Sequence, residues 1–212
     1  RTTTAPDSIK HVPVSSLTYD EIVRWDAGVR FGPSFAGERV PALHEMFAEM
    51  QGKPERLAYL DLKNVDLQQL GALIDEYGVN RQVIFTHNVQ DSCRSMKRIA
   101  SGVRTMQWIG GRPEQIQATY RTIRDTGFDG LDQIQFHLHA GQDDGWPYQL
   151  GPEFLREALT VTREAGIDLE VLPFQIDEQS IGMLLDLGIR WFATDEPSKF
   201  LASVAAWQAK QR

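Results

Sequence analysis

The sequence predicts an α/β protein, a TIM-type (β/α)8 barrel with six of the eight strand-helix units visible. Three observations carry this. Apolar runs of strand length alternate with longer amphipathic segments, six times in succession. The turn after the first run, Asn64-Val65-Asp66, holds no glycine, whereas a Rossmann sheet needs a glycine-rich turn there. Polar side chains recur at the C-terminal ends of several runs, as in a barrel whose site is assembled from many strand ends.

The elements follow in order. The stretch up to Ser16 is polar, with Pro6 and Pro13, and reads as loop. Residues 16–27 read as a helix, with Thr18-Tyr-Asp-Glu21 as a capping box. Residues 28–41 hold several glycines and two prolines and read as a loop carrying Phe31 and Phe35. Pro41 suits the first turn of a helix running to Met50, so 16–50 forms a helix-loop-helix insertion before the next strand. Strands are then expected over 57–63, 82–86, 103–109, 131–138, 169–174 and 189–193. Helices are expected over 67–77, 91–100, 113–125, 152–165, 178–187 and 197–208, several closed by a glycine such as Gly78 or Gly188. A barrel of about 250 residues needs eight such units. Two are therefore expected before Arg1, with residues 1–212 forming one truncated barrel domain.

Composition narrows the function. The 212 residues carry 22 Lys and Arg against 29 Asp and Glu, a net charge of −7, and the basic residues are scattered. That argues against a nucleic-acid partner. No apolar run is long enough to span a bilayer. Cys93 is the single cysteine, so no internal disulfide forms, and its expected place in a helix marks it as packing. The compartment stays open, because a signal peptide could precede Arg1.

Side chains alternate along a strand. Tyr59, Asp61 and Lys63 are thus expected on one face, with Asp61 and Lys63 at the C-terminal rim. A carboxylate and an ammonium there serve either a pocket or a half-solvated ion pair. Other rim candidates are His87 on the second strand, Trp108 on the third, and Gln135, His137 and His139 alternating on the fourth. Gln175 and Asp177 follow the fifth. Asp195-Glu196-Pro197, after the sixth, also reads as a helix cap. Trp25, Phe31, Phe35 and Trp146 are placed to line a pocket mouth. Zinc sites gather three or four His, Cys or carboxylate ligands. Asp61 is a hard oxygen donor, so a divalent Mg2+ or Ca2+ with substrate phosphate in its shell suits it better. No Gly-x-Ser-x-Gly and no Walker sequence occurs.

Several segments in order resemble the glycerophosphodiester phosphodiesterase family of phospholipase C-like barrels, over nearly the whole chain. These are Arg1-Thr2-Thr3, Asp26-Ala27-Gly28, Gly37-Glu38-Arg39-Val40-Pro41-Ala42-Leu43, Tyr59-Leu-Asp-Leu-Lys63 and Trp191-Phe-Ala-Thr-Asp-Glu-Pro197. The resemblance implies metal-assisted hydrolysis of phospholipid-derived glycerophosphodiesters to glycerol 3-phosphate and an alcohol. It implies two histidines for acid-base work, an arginine on phosphate and carboxylates on the metal, most of them on the first two strands. Those strands are not seen, so Asp61 as metal ligand and Lys63 as catalytic cation are what carries over. The chain by itself is therefore expected to be inactive or nearly so. Asp61 stands where Glu is commoner in the family. Being one methylene shorter, it implies a closer or water-bridged metal. The alternative is a non-catalytic, barrel-derived binding or regulatory module. A phosphosugar isomerase or aldolase barrel would place a glycine pair after the penultimate strand, where this chain has Gln175-Ile-Asp-Glu178.

Overall fold

The computed structural model describes residues 12–143 and 145–211. The chain divides into two compact units. Arg1–Arg56 with Lys63–Val79 form one, and Leu57–Leu62 with Asn80–Arg212 the other. The Arg1-Thr2-Thr3 stretch and most of the expected opening loop lie outside the described residues.

The second unit contains a six-stranded parallel sheet. Its strands are β1 (Ala58–Asp61), β2 (Val83–His87), β3 (Arg104–Ile109), β4 (Gln133–Leu138), β7 (Asp168–Pro173) and β8 (Trp191–Phe192), in that order. The order follows the chain with no reversal. A doubly wound sheet reverses at its switch point, so the expected barrel architecture holds and the open alternative does not. The helices of this unit are α4 (Gln90–Ile99), α5 (Pro113–Asp125), α6 (Pro152–Glu164), α7 (Glu178–Leu187) and α8 (Pro197–Lys210).

The sheet is curled. The Tyr59 hydroxyl on β1 lies 3.1 Å from Glu170 Oε2 on β7, four strand steps away in the sheet order. In a flat sheet those strands would be about 19 Å apart. Only a sheet rolled toward its own concave face brings them together.

The convex face carries Leu60, Phe85, Phe136 and Val171, all buried. The helices contribute buried side chains too, such as Met96 on α4, Ile116 on α5, Leu155 on α6 and Leu184 on α7. Cys93 is buried on α4, its Sγ 3.6 Å from the Met106 carbonyl. Burial pushes the thiol up to about 12, as packing requires. Tyr120 stands edge-on to Phe136 and Phe154 at 5.7 and 5.4 Å. Its hydroxyl is buried with no hydrogen-bond partner among the described residues. A buried unpartnered hydroxyl costs desolvation with no return. Tyr120→Phe is therefore expected to raise stability by about 1 kcal/mol, read as a higher urea midpoint at unchanged m. A loss of stability would show that the hydroxyl is satisfied after all.

Helix bounds agree with the sequence at α5 and α7, where Pro113 opens one and Gly188, at φ 97°, closes the other. One pairing was not foreseen. Strands β5 (Ala140–Asp143) and β6 (Trp146–Tyr148) form an antiparallel hairpin after β4. Trp146 donates to the Leu150 carbonyl at 2.8 Å and meets Tyr148 edge-on, so it packs within this hairpin.

The first unit holds α1 (Tyr19–Ile22), α2 (Leu43–Met50) and α3 (Leu67–Tyr77). The expected helix over 16–27 is a single turn. Its capping box is present, Glu21 N–H to Thr18 Oγ1 at 3.3 Å and Thr18 N–H to Glu21 Oε2 at 2.8 Å. Past the helix the Ala27 N–H bonds the Glu38 carbonyl at 2.7 Å, and the Asp26 side chain gathers the donors of the loop that follows. Its Oδ1 accepts from Gly28 and Val29 at 2.9 and 2.8 Å, and its Oδ2 from Gly37 at 2.8 Å. The bonds from Gly37, Val29 and Gly28 hold this carboxyl below the usual range. Gly28 is required there, since a Cβ would sit 2.0 Å from the Phe35 carbonyl oxygen. Helix α2 starts at Leu43 rather than Pro41. The Ala42 N–H is taken by Glu45 Oε2 at 2.8 Å, and Glu45 is itself paired with Arg39. Asp66 caps α3 through Gln68 and Gln69 N–H, and Gly78 ends it at φ 63°.

Candidate functional site

The registers place one set of side chains on the concave face. Asp61 is beside Thr86, Thr86 beside Met106, Trp108 beside Gln135, Gln135 beside Glu170, and His137 beside Leu172. In a parallel sheet laterally paired residues point the same way. Asp61, Trp108, Gln135 and His137 are thus brought together at the C-terminal end of the curl, as the alternation predicts.

His137 is the most constrained of these. Its ring stacks on Trp108 at 5.3 Å with 4° between planes, and meets Phe174 edge-on at 5.7 Å. His139, exposed just beyond β4, stacks on Phe174 at 4.7 Å. Burial first, then the neighbouring His139, pushes the His137 pKa down, against the opposing pull of the Asp61 carboxylate. The ring is thereby held toward its neutral form, and the charge of Asp61 reaches it across the concave face.

Below His137 lies a buried polar layer of which the sequence reading singled out Gln135 but neither Gln133 nor Glu170. Glu170, 3% exposed, accepts from Gln133 Nε2 at 2.7 Å through Oε2 and from Gln135 Nε2 through Oε1. Tyr59 stands 3.0 Å from Gln133 Oε1. Burial raises the Glu170 pKa, partly offset by the hydrogen bonds from Gln135, Tyr59 and Gln133. The signal was present as a charged residue between Leu169 and Val171, in the middle of a run that is otherwise apolar. Lower still, Arg104 pairs with Asp168 at 2.6 Å and lies 5.8 Å over the Trp191 ring.

Other rim candidates fall elsewhere. His87 is laterally paired with Gln107, one residue out of phase with Thr86, so it points to the convex face. Its Nδ1 accepts from Val89 N–H at 3.0 Å and its ring stacks on Phe85. Asp177 caps α7 through Ser180 N–H at 2.9 Å, and Gln175 donates to it at 3.1 Å. Asp195 does not cap α8; the cap position is Glu196, whose N–H bonds Thr194 Oγ1 at 3.0 Å. Strand β1 ends at Asp61, so the alternation argument stops there. Lys63 lies two residues on, exposed in a bend of the first unit. Phe31 and Phe35, 80% and 51% exposed, sit on short 3-10 turns of that unit, whereas Trp25 is buried.

Among the described residues no group of three or more His, Cys, Asp or Glu gathers that could hold a metal ion. Asp61 offers a hard oxygen at this rim. A single carboxylate suits a cation completed by water and phosphate oxygens, in the manner of magnesium. Among the described residues no helix is long and apolar enough to cross a membrane.

Comparison with known proteins finds a partial relative and a shared fold. No family model matches it. A glycerophosphodiester phosphodiesterase of Caldanaerobacter subterraneus subsp. tengcongensis is 34% identical over 93 residues, 41% of this chain and 38% of the relative. The chain thus spans about two fifths of the length of the curated relative it matches, at 38%. The crystal structure of a glycerophosphodiester phosphodiesterase from Agrobacterium tumefaciens is similar in fold. It has TM-score 0.63 at 21% identity, over 90% of this chain and 73% of that one. That of a glycerophosphodiester phosphodiesterase from Parabacteroides distasonis gives 0.59 at 13% identity, over 94% and 74%. The partial sequence likeness is to a protein of that name, and the structures of that name share the fold.

Proposed function

We propose, from this kinship with the glycerophosphodiester phosphodiesterases, that the protein hydrolyses glycerophosphodiesters to glycerol 3-phosphate and an alcohol. The observation that carries the reading is Asp61. It ends the first strand of a sequentially ordered parallel sheet, on the concave face that holds His137, and its segment Tyr59-Leu-Asp-Leu-Lys63 resembles the family's metal-and-lysine strand. Barrel enzymes keep their chemistry at this end of the strands. Asp61 would hold a divalent cation, Mg2+ or Ca2+. When bound, that ion supplies Lewis-acid stabilisation of charge on the phosphoryl oxygens. Lys63 would neutralise a phosphate oxygen. The Trp108 and Phe174 rings flank His137, one stacked on it and the other edge-on.

The second reading is a non-catalytic, barrel-derived binding or regulatory module. Two measurements on the intact protein separate the readings. Magnesium is expected to raise the melting temperature of the wild type by preferential binding to the folded state, and Asp61→Asn to lose most of that rise. Glycerophosphocholine is expected to be cleaved with release of glycerol 3-phosphate. Binding of that diester without cleavage would favour the module. An unchanged magnesium shift in Asp61→Asn would remove the cation from Asp61.

A further inference from the structure

At the N-terminal end of the strands, opposite Asp61, the sheet is notched. Strand β8 has two residues and pairs with β7 only at Glu170 and Val171. Asp168 and Leu169, which open β7, therefore have no paired residue on β8. The space beside them is a cavity of about 290 Å3. Asp168 and Trp191 bound it from the strands, Leu159 and Arg163 from α6, and Gly188 and Arg190 from the turn after α7. That volume is at the lower limit of small-molecule sites, so it suits a compact ligand.

The lining is cationic, in a chain whose net charge is −7. The Asp168 carboxylate is already taken by Arg104, at 2.6 Å. Arg190 Nη1 donates to the Leu185 and Ile189 carbonyls, both at 2.8 Å, and its guanidinium lies 6.0 Å over the Trp207 ring. The head is thereby fixed, and its Nε and Nη2 have no hydrogen-bond partner among the described residues. The Arg163 guanidinium bonds neither carboxylate nor carbonyl among the described residues. Its Nη2 would lie 3.9 Å from a Cβ on Gly188, so it stands close to the glycine that ends α7. A competing account makes both arginines caps of the helix ends, where cations are favoured. It explains Arg190 Nη1 and leaves Arg163 unused. The ends of α6 and α7 carry about half a negative charge each, which two full positive charges exceed.

We propose that this notch binds a small phosphate, either the inorganic ion or a compact phosphate monoester, between Arg163 and Arg190. A guanidinium presents a planar fork of N–H groups that an oxyanion accepts in pairs. A carboxylate has two oxygens and one such fork satisfies it. A phosphate has oxygens enough for two forks, and two arginines on different elements line this cavity. The carbon body of an ester would lie against Leu159 and Trp191. Binding here does not depend on the phosphodiesterase reading, because none of these residues belongs to the Asp61 rim.

The test is a titration of the intact nitrogen-15-labelled protein with sodium phosphate, followed by NMR at constant ionic strength with chelator present. The Gly188 amide and the Trp191 indole N–H are expected to shift saturably. Sodium chloride in place of phosphate should leave them still. Arg163→Met should weaken the binding about tenfold or more and stay folded by circular dichroism, since this exposed side chain holds nothing in place. Lys63→Met should leave the titration unchanged. Glycerol 3-phosphate binding more tightly than phosphate would support a monoester as the ligand, and equal binding the free ion. Absence of saturable shifts in the wild type would overturn the site, and needs no variant to be seen. So would equal shifts with chloride, unaltered binding in folded Arg163→Met, or loss of the shifts in folded Lys63→Met. Saturable shifts with acetate but not with phosphate would overturn the ligand class.

Discussion

Lys63→Met is expected to cut turnover of glycerophosphodiesters by about a hundred- to a thousand-fold, the scale of removing one preorganised group that stabilises transition-state charge. The fold should survive, because Lys63 is exposed in a bend and lies outside both the β1 ladder and the α3 helix. The competing account makes Lys63 a partner for a nearby carboxylate. An exposed pair of that kind is worth only about 0–1 kcal/mol. Its loss would lower the melting temperature slightly and leave turnover near the wild-type value. Circular dichroism and a phosphodiesterase assay on the same sample decide between them. A folded Lys63→Met protein with normal turnover would remove the lysine from the chemistry.

Glu170→Leu is expected to be the most damaging change in the buried layer, costing about 3 kcal/mol or more. It strands the buried Gln133 and Gln135 amides, and each such group costs roughly 1–3 kcal/mol when unpaired. Glu170→Gln should cost less, since the amide oxygen still accepts. The two also differ in how they respond to pH. Burial raises the Glu170 pKa above its unfolded value, so the folded state holds the proton more tightly than the unfolded chain. Its contribution is then fully present below the ordinary glutamate range, and is lost as pH rises through the elevated folded value. The Gln variant cannot ionise. The wild type's stability relative to Glu170→Gln should therefore decline as pH rises through that window. A difference that grows with pH would mean that Glu170 is stabilised as the anion.

The parts of the fold legible in the sequence are those where a local rule and the tertiary environment agree. Pro113 at a first helical turn and Gly188 at a helix end bound α5 and α7. The unbroken strand-helix alternation settled the parallel sheet. The hairpin at Ala140–Asp143 and Trp146–Tyr148 was not legible. Its strands are very short, and Pro147 and Gly141 argue against a strand wherever they stand. The helix expected over 16–27 ends after one turn; past it the Ala27 N–H goes to Glu38 and the loop donors to the Asp26 side chain, a pattern that apolar spacing does not report. Within the site, period-two alternation found Trp108, Gln135, His137 and Asp61. The same rule separates His87 from them, since a one-residue offset reverses the face. Tyr59, Gln133 and Glu170 come from strands distant in sequence. Their network exists only because the sheet curls, which no single strand shows.

The most direct test of the account is the rate of glycerol 3-phosphate release from glycerophosphocholine by the intact protein, wild type against Asp61→Asn, both shown to be folded. The account predicts release by the wild type and a fall of at least about a hundred-fold in the variant, as for other losses of transition-state charge stabilisation. Equal rates in the two proteins, or no release by the wild type with magnesium present, would contradict it.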